Sequence, residues 1–221
     1  MMLKAECIHK SYFQGVSKIH VLKGLNLRVS AGDTVAIVGP SGGGKSTLLS
    51  LLCGIDSPDE GELYIQDENV THFSQDQWSD FRAKNIGFVF QQFHLISHLT
   101  ALENVMVPLD ILGQHDLTIA KKSLVEVGLE KRFHHFPSEL SGGEIQRVAI
   151  ARALVGKPKM LFADEPSGNL DQNTGDDVMK LLFNLVRDHG STLILVTHSA
   201  SLAKQCKTVY ELSDGLLKIA P

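Results

Sequence analysis

Three observations predict an α/β fold built around a phosphate-binding loop for this chain of 221 residues. Continuous apolar runs at 34–38, 160–163 and 193–196 have the composition of strands in a parallel sheet covered on both faces. The first run leads directly into Gly39-Pro40-Ser41-Gly42-Gly43-Gly44-Lys45-Ser46-Thr47, which satisfies G-x-x-x-x-G-K-[ST] at a strand-to-helix turn. Helical periodicity occupies the stretches between the later runs.

In chain order, Leu3, Ala5 and Cys7 alternate with Lys4 and Glu6, and Leu25, Leu27 and Val29 alternate with Asn26 and Arg28. Period-two alternation predicts two half-buried strands. Residues 46–52, after the loop, have helical composition. Ser57-Pro58-Asp59-Glu60-Gly61 is a turn signal, Leu63-Tyr64-Ile65 a short strand after it, and 86–90 a further strand. From 91 to 157 the character is helical, with Leu102, Val105 and Met106, then Ala120, Leu124 and Val127, at helical spacing. Val178, Met179, Leu181, Leu182, Leu185 and Val186 predict another helix. The tail, 209–212 and 216–219 around Ser213-Asp214-Gly215, predicts a hairpin. Trp78 and the phenylalanines are expected in packing. The expected organisation is one domain over 1–221, with 91–157 as an inserted helical subdomain.

The loop's residue types suit phosphate. Glycines without Cβ let successive N–H groups converge on an anion, and a helix beginning near Lys45 directs its positive end there. Lys45 supplies a point charge for β- and γ-phosphates, and the Ser46 hydroxyl can ligate Mg²⁺. The apolar run at 160–163 delivers Asp164 and Glu165 to a strand's carboxyl end, where open α/β sheets bind ligands. Asp164 reads as a Mg²⁺ partner. Glu165, expected to face the opposite way on extended chain, reads as the group that polarises a water. His198 follows the strand ending at Thr197, from where an imidazole can reach a γ-phosphate. His134 and His135 share no helical face and have no ligand-spaced acid or cysteine nearby, so no metal is expected there.

Composition excludes several classes. With 21 Lys+Arg against 25 Asp+Glu, a net charge of -4 and no long run of one sign, neither a nucleic-acid stripe nor a polybasic membrane anchor is expected. Lys4, Glu6, His9, Lys10 and Lys18 interrupt any secretory leader, and no apolar run suffices to span a bilayer. Cys7, Cys53 and Cys206, odd in number and widely spaced, fit reduced thiols. A cytoplasmic location is expected.

Leu140-Ser141-Gly142-Gly143-Glu144, followed by Ile145, Val148, Ala149 and Ala153 on a helical face, resembles the signature sequence of ATP-binding cassette (ABC) proteins, whose usual last residue is Gln. The other elements of that family stand in its order along nearly the whole chain. Tyr12 matches the aromatic that stacks on adenine, Gly39 to Thr47 the Walker A loop, and Gln91 the Q-loop glutamine, also a Mg²⁺ ligand. Met160 to Asp164 match Walker B, Glu165 the catalytic glutamate, Ser167 to Asp171 the D-loop, and His198 the switch histidine. Gly43 stands for a common serine, which removes no backbone donor, and Ser199 for a common aspartate. The resemblance implies a P-loop NTPase (RecA-like core) with an antiparallel β subdomain and an inserted α-helical subdomain. It further implies ATP and Mg²⁺ as cofactors and a head-to-tail homodimer, in which Ser141, Gly142, Gly143 and Glu144 of one copy meet ATP held by Lys45 of the other.

Phe88-Val89-Phe90-Gln91-Gln92-Phe93, 99–105 and 163–171 resemble the branch of lipoprotein-releasing and macrolide-exporter cassettes. Within it, Thr174-Gly175-Asp176 and Leu181-Leu182-Phe183 look closest to YbbA-type subunits. The branch implies a separate permease with a large periplasmic domain, and a cassette held at the cytoplasmic face of the inner membrane. A soluble cassette acting on ribosomes or nucleic acid is the alternative, set back by the lack of coiled-coil, zinc or basic insertions. A regulator that binds ATP without turnover is disfavoured by Glu165 and His198.

Overall fold

The computed structural model describes residues 1–220, which divide into two compact units: 1–82 with 192–220, and 83–191. The second unit is wider than the 91–157 insertion, since it also carries the 160–164 strand and the helix after it.

The first unit holds two sheets. β1 (Leu3–Gln14), β2 (Ser17–Val29), β4 (Glu60–Ile65) and β5 (Glu68–Asn69) form an antiparallel sheet in the order β2-β1-β4-β5. Leu25, Leu27 and Val29 are buried as their alternation requires. On β1 the pattern breaks: Leu3 and Ala5 are buried, but Cys7 is exposed with φ 51, and Ile8 takes the inward place. The register with β2 shifts between Ala5 and Ile8, because the extra residue of a bulge returns the next side chain to the core face. The second sheet has β3 (Thr34–Val38) parallel to both β8 (Thr192–Val196) and β9 (Thr208–Ser213), and β10 (Leu216–Ile219) antiparallel to β9. Asp214 and Gly215, at φ 53 and 79, make the two-residue turn of that hairpin. α1 (Lys45–Leu52) buries Leu48, Leu49, Leu51 and Leu52.

α2 (Gln75–Asn85) is absent from the sequence-based expectation because Trp78 is its one buried residue. Trp78 meets Phe73 and Phe81 edge to face, at ring-centroid distances of 5.7 and 5.8 Å. Phe13, by contrast, is 75% exposed and Phe136 42%, so these two phenylalanines are not packed as expected.

In the second unit β6 (Ile86–Phe90) pairs in parallel with β7 (Met160–Asp164), aligning Phe90 with Asp164. Three helices lie between them in sequence: α3 (Ala101–Ile111), α4 (Leu117–Glu126) and α5 (Gly142–Leu154), with a 3₁₀ turn at Pro137–Glu139. The buried Asn104 of α3 donates to the carbonyls of Ile96, Leu99 and Thr100 and accepts from Ile96 N–H, pinning the loop that follows Gln91. α5 buries Val148 and Ala149 of the expected face, with Ile145 and Ala153 half-buried beside them, and its inner side also carries Gly143, Gln146, Ile150 and Leu154. α6 (Gln172–His189) buries Val178, Met179, Leu182, Leu185 and Val186, and ends on Gly190 at φ 66. α7 (Ala200–Ala203) belongs to the first unit.

Candidate nucleotide site

In the first unit the loop 39–44 joins the end of β3 to the start of α1. Gly39 has φ 151, and a Cβ there would lie 2.2 Å from the carbonyl oxygen of Leu212 on β9, so only glycine lets the chain leave β3 this way. Gly44, the N-cap of α1, has φ 95 and room for no Cβ beside Val21 Cγ1 at 2.9 Å. Gly43 N–H donates to Pro40 O at 3.1 Å and closes a turn within the loop. Lys45 is buried, and its ammonium donates to the carbonyls of Gly39 and Pro40, both at 2.9 Å. This places a positive charge inside the curve of the loop, beside Ser41, Gly42, Ser46 and Thr47.

The start of α1 differs from the other capped helices. α3, α4, α5, α6 and α7 each have a side-chain cap, from Thr100, Asp116, Ser141, Asp171 and Ser199, whereas α1 begins with no side-chain cap. Its leading N–H groups are left to some other acceptor, and the positive end of a helix favours an anionic one. The loop therefore fits a phosphate.

Tyr12 stands within β1, not at its end, and is 40% exposed. Its hydroxyl donates to Asp56 Oδ2 at 2.7 Å, while Lys10 donates to Asp56 Oδ1 and to Ser57 O, each at 2.7 Å. The Lys10 ammonium lies 5.2 Å from the Tyr12 ring centroid. Burial, then the bond to Asp56, raises the phenol pKa. Burial alone would raise that of Asp56, but the bonds from Lys10 and Tyr12 outweigh it and hold the carboxylate ionised. Sequence reading missed Lys10 and Asp56, which lie 46 positions apart and carry no motif.

His198 is exposed immediately beyond Thr197, whose N–H continues the pairing to Ile37 O at 3.3 Å. Ser199 caps α7, accepting from Leu202 N–H at 3.4 Å. Serine and aspartate both cap helices well, so the substitution noted in the sequence retains the local geometry.

In the second unit, parallel pairing brings the ends of β6 and β7 level, with Gln91 and Glu165 each one residue beyond. Glu165 is not on extended chain as expected. β7 ends at Asp164, and Glu165 has φ 46, a left-handed conformation that glutamate adopts only when its surroundings impose it. Gly168 N–H bonds Glu165 O at 2.9 Å, closing the turn responsible. Two side chains brace that turn: the buried Gln146 donates to Pro166 O at 2.6 Å, and Asn169 donates to Gln91 O at 2.9 Å. Asp171 caps α6 by accepting from Thr174 N–H at 3.1 Å, and the Thr174 side chain, then that N–H, lower its pKa.

Ser141 caps α5 in a capping box with Glu144. Arg132 Nε donates to Glu144 Oε1 at 2.7 Å, and this bond, followed by that from Ser141 N–H, pulls the Glu144 carboxyl down to about 2. Gly142 is exposed and Gly143 buried. Neither Arg132 nor Gln146 was picked out by sequence, because charge and amide groups scattered along a helical stretch carry no pattern.

Ser46 of the first unit carries a hydroxyl, and Gln91 and Asp164 of the second an amide oxygen and a carboxylate, each an oxygen donor of the kind Mg²⁺ takes. Among the described residues no three His, Cys, Asp or Glu side chains form a metal cage. No helix among the described residues is long and apolar enough to cross a membrane.

Comparison with known proteins gives consistent matches. The sequence model of the ABC transporter family matches residues 22–168. The lipoprotein-releasing system ATP-binding protein LolD of Bdellovibrio bacteriovorus is 45% identical over 217 residues, covering 96% of this chain and 98% of that protein. YbbA of Escherichia coli, an uncharacterized ABC transporter ATP-binding protein, is 47% identical over 214 residues, covering 96% and 94%. Among solved structures, the dimeric post-hydrolysis state of the ATP-binding cassette MJ0796 bound to ADP and Pi has a TM-score of 0.90 at 41% identity, covering 98% of this chain and 97% of that one.

Proposed function

The chain belongs to the ABC transporter family of ATPases, and from that premise we propose that it is the ATP-hydrolysing subunit that drives a separate inner-membrane permease of the LolD, MacB and YbbA type. The observation that carries the reading is the uncapped start of α1 around Lys45, built to receive phosphate, in a chain matching LolD and YbbA almost end to end. The cargo class we assign is lipoprotein, lipid or hydrophobic compound, moved by a permease with a large periplasmic domain.

The resemblance to ABC proteins supplies each residue's role, and the chemistry of the side chains suits it. Tyr12, fixed by Asp56 and Lys10, presents an aromatic face to adenine. Lys45 and the N–H groups of 41–47 bind the β- and γ-phosphates. Bound with the nucleotide, Mg²⁺ supplies charge neutralisation, with Ser46, Gln91 and Asp164 as its oxygen donors. Glu165 takes a proton from the attacking water, and His198 donates to the γ-phosphate. Asp171 fixes the start of α6 behind the 167–170 turn. Two copies assemble head to tail around two ATP, Ser141, Gly142, Gly143 and Glu144 of each meeting the nucleotide of the other.

A groove of about 280 Å³ lined by Phe88, Phe90, His94, Pro108 and Arg152 is the seat we assign to the permease. It adjoins Gln91 at the end of β6, and Arg152 of α5 donates to the carbonyls of Phe93 and His94 at 2.9 and 2.6 Å. A partner lodged there touches both the segment after Gln91 and the helix headed by Ser141.

The test is Glu165→Gln. ATP binding is expected to persist while turnover falls about 10²- to 10⁴-fold, the usual effect of losing a general base. Tagged Glu165→Gln protein with Mg·ATP should then recover a permease with a large ectodomain from solubilised membranes. Near-normal turnover would reject the role of Glu165. Recovery of ribosomes or nucleic acid in place of a permease would favour the soluble cassette.

A further inference from the structure

The Glu144 carboxylate is shared among three donors. Oε2 accepts from Ser141 N–H at 2.9 Å and from the Ser141 hydroxyl at 2.9 Å, and Oε1 accepts from Arg132 Nε at 2.7 Å. The Ser141 oxygen accepts in turn from Glu144 N–H at 3.3 Å. A hydroxyl has one proton, so a phosphate oxygen arriving at this helix terminus takes that proton only from Glu144. A carboxylate in the first turn also offsets the positive end of the helix, and meets an incoming anion as a like charge. Glutamine, the family's usual residue here, can accept the same proton but carries no charge.

Arg132 answers the charge. Its side chain is 41% exposed and that of Glu144 26%, so the pair lies where an arriving anion would experience its net charge. Paired, the two side chains sum to zero beside Ser141. With Arg132 removed, Glu144 is a bare anion in the same place.

We infer that Arg132 is a positioning residue for the signature: it holds and neutralises Glu144, so that the start of α5 accepts the γ-phosphate of ATP bound to a second copy of the chain. This rests on the head-to-tail dimer proposed above. The need for Arg132 is created by Glu144 and vanishes when that residue is neutral.

The experiment compares Arg132→Gln, Arg132→Lys, Glu144→Gln and the Arg132→Gln/Glu144→Gln pair with the parent. It reads KM and kcat for ATP and, in the Glu165→Gln background, the ATP concentration for half-maximal dimerisation by analytical ultracentrifugation. Arg132→Gln should raise KM and the dimerisation midpoint roughly 5- to 50-fold, the effect of one uncompensated charge a few ångströms from the phosphate. Added salt should reduce that defect by screening, which a packing defect would not allow. Arg132→Lys, retaining the charge, should recover most of the loss. The double variant should return to within about threefold of Glu144→Gln, because without the carboxylate no charge needs cancelling.

Parent-like behaviour of Arg132→Gln overturns the inference. So does a double variant as impaired as Arg132→Gln, which would give Arg132 a structural role. Should Arg132→Gln fail to fold, Arg132→Lys against the double variant decides by the same criterion. A parent that turns over ATP yet never dimerises in the Glu165→Gln background overturns the dimer reading itself, a pattern distinct from either of the others.

Discussion

Gly143→Ala asks why the start of α5 needs a glycine at that place. Gly143 is buried, and a Cβ built on it lies 2.5 Å from Thr174 Cγ2 on α6. Carbon atoms in contact settle at about 3.5–4.0 Å, so α5 or Thr174 must yield by about 1 Å. Overpacking of this kind costs about 1–3 kcal/mol, and the better helix propensity of alanine returns at most about 1 kcal/mol. With the full offset the expected net loss is about 0–2 kcal/mol. Thr174→Ser deletes Cγ2 and leaves the backbone N–H that Asp171 caps. In that background Gly143→Ala should cost no more than about 0.5 kcal/mol, the level at which uncoupled changes add. Urea unfolding of the four proteins closes the cycle, with a coupling of about 1 kcal/mol expected. ATP turnover should follow stability, since the methyl would face Thr174. An equal penalty in both backgrounds would refute crowding as the reason for the glycine.

Two further expectations concern the same unit. At position 165, where φ is 46, glycine and asparagine should be better tolerated than valine, with Glu165→Val less stable than Glu165→Gly by about 1–2 kcal/mol. Equal unfolding midpoints for the three would show that residue 165 is not held left-handed. For Glu144, whose carboxyl is held down at about 2, the bonds to Arg132 and Ser141 stabilise the fold fully above the ordinary carboxylate range, and that contribution is lost as pH falls toward 2. The parent should thus exceed Glu144→Gln by about 1 kcal/mol at pH 7, a figure reduced for solvent around the half-exposed Arg132, and the gap should close on acidification. A gap that widens below pH 4 would reverse the sign of this linkage.

What the sequence made legible depended on whether neighbouring residues acted together. β3, its glycine loop and the first turn of α1 were readable because strand, turn and helix signals abut over residues 34–52. The runs that became β7 and β8 were equally plain, being almost wholly buried, and Asp214-Gly215 marked the terminal hairpin. α2 went unread because one buried tryptophan sets no period. The bulge at Cys7 shifted a period-two pattern by one residue, which alternation alone cannot register. In the candidate site the motif residues carry sequence signals, but the contacts that orient them do not. Asp56 reaches back to Tyr12 and Lys10, Gln146 reaches 20 positions to Pro166, and Asn169 reaches 78 to Gln91. The left-handed Glu165 is set by a turn among Pro166, Ser167 and Gly168, not by its own preference.

The placement of β3 also dictates when the phosphate loop can exist. Both of its partners arrive late: β8 supplies Leu193 to Val196, and β9 supplies Thr208 to Glu211, with Lys207 N–H reaching Thr34 across 173 positions. The carbonyl of Leu212 against Gly39 belongs to that same late segment. A nascent chain emerging from the ribosome thus carries its glycine-rich segment without the strands that shape it until Leu212 has been added. Contacts so distant in sequence close slowly and late. The loop therefore takes its shape only after β8 and β9 have followed it, and a chain cut short before Thr192 would lack both strands that flank β3.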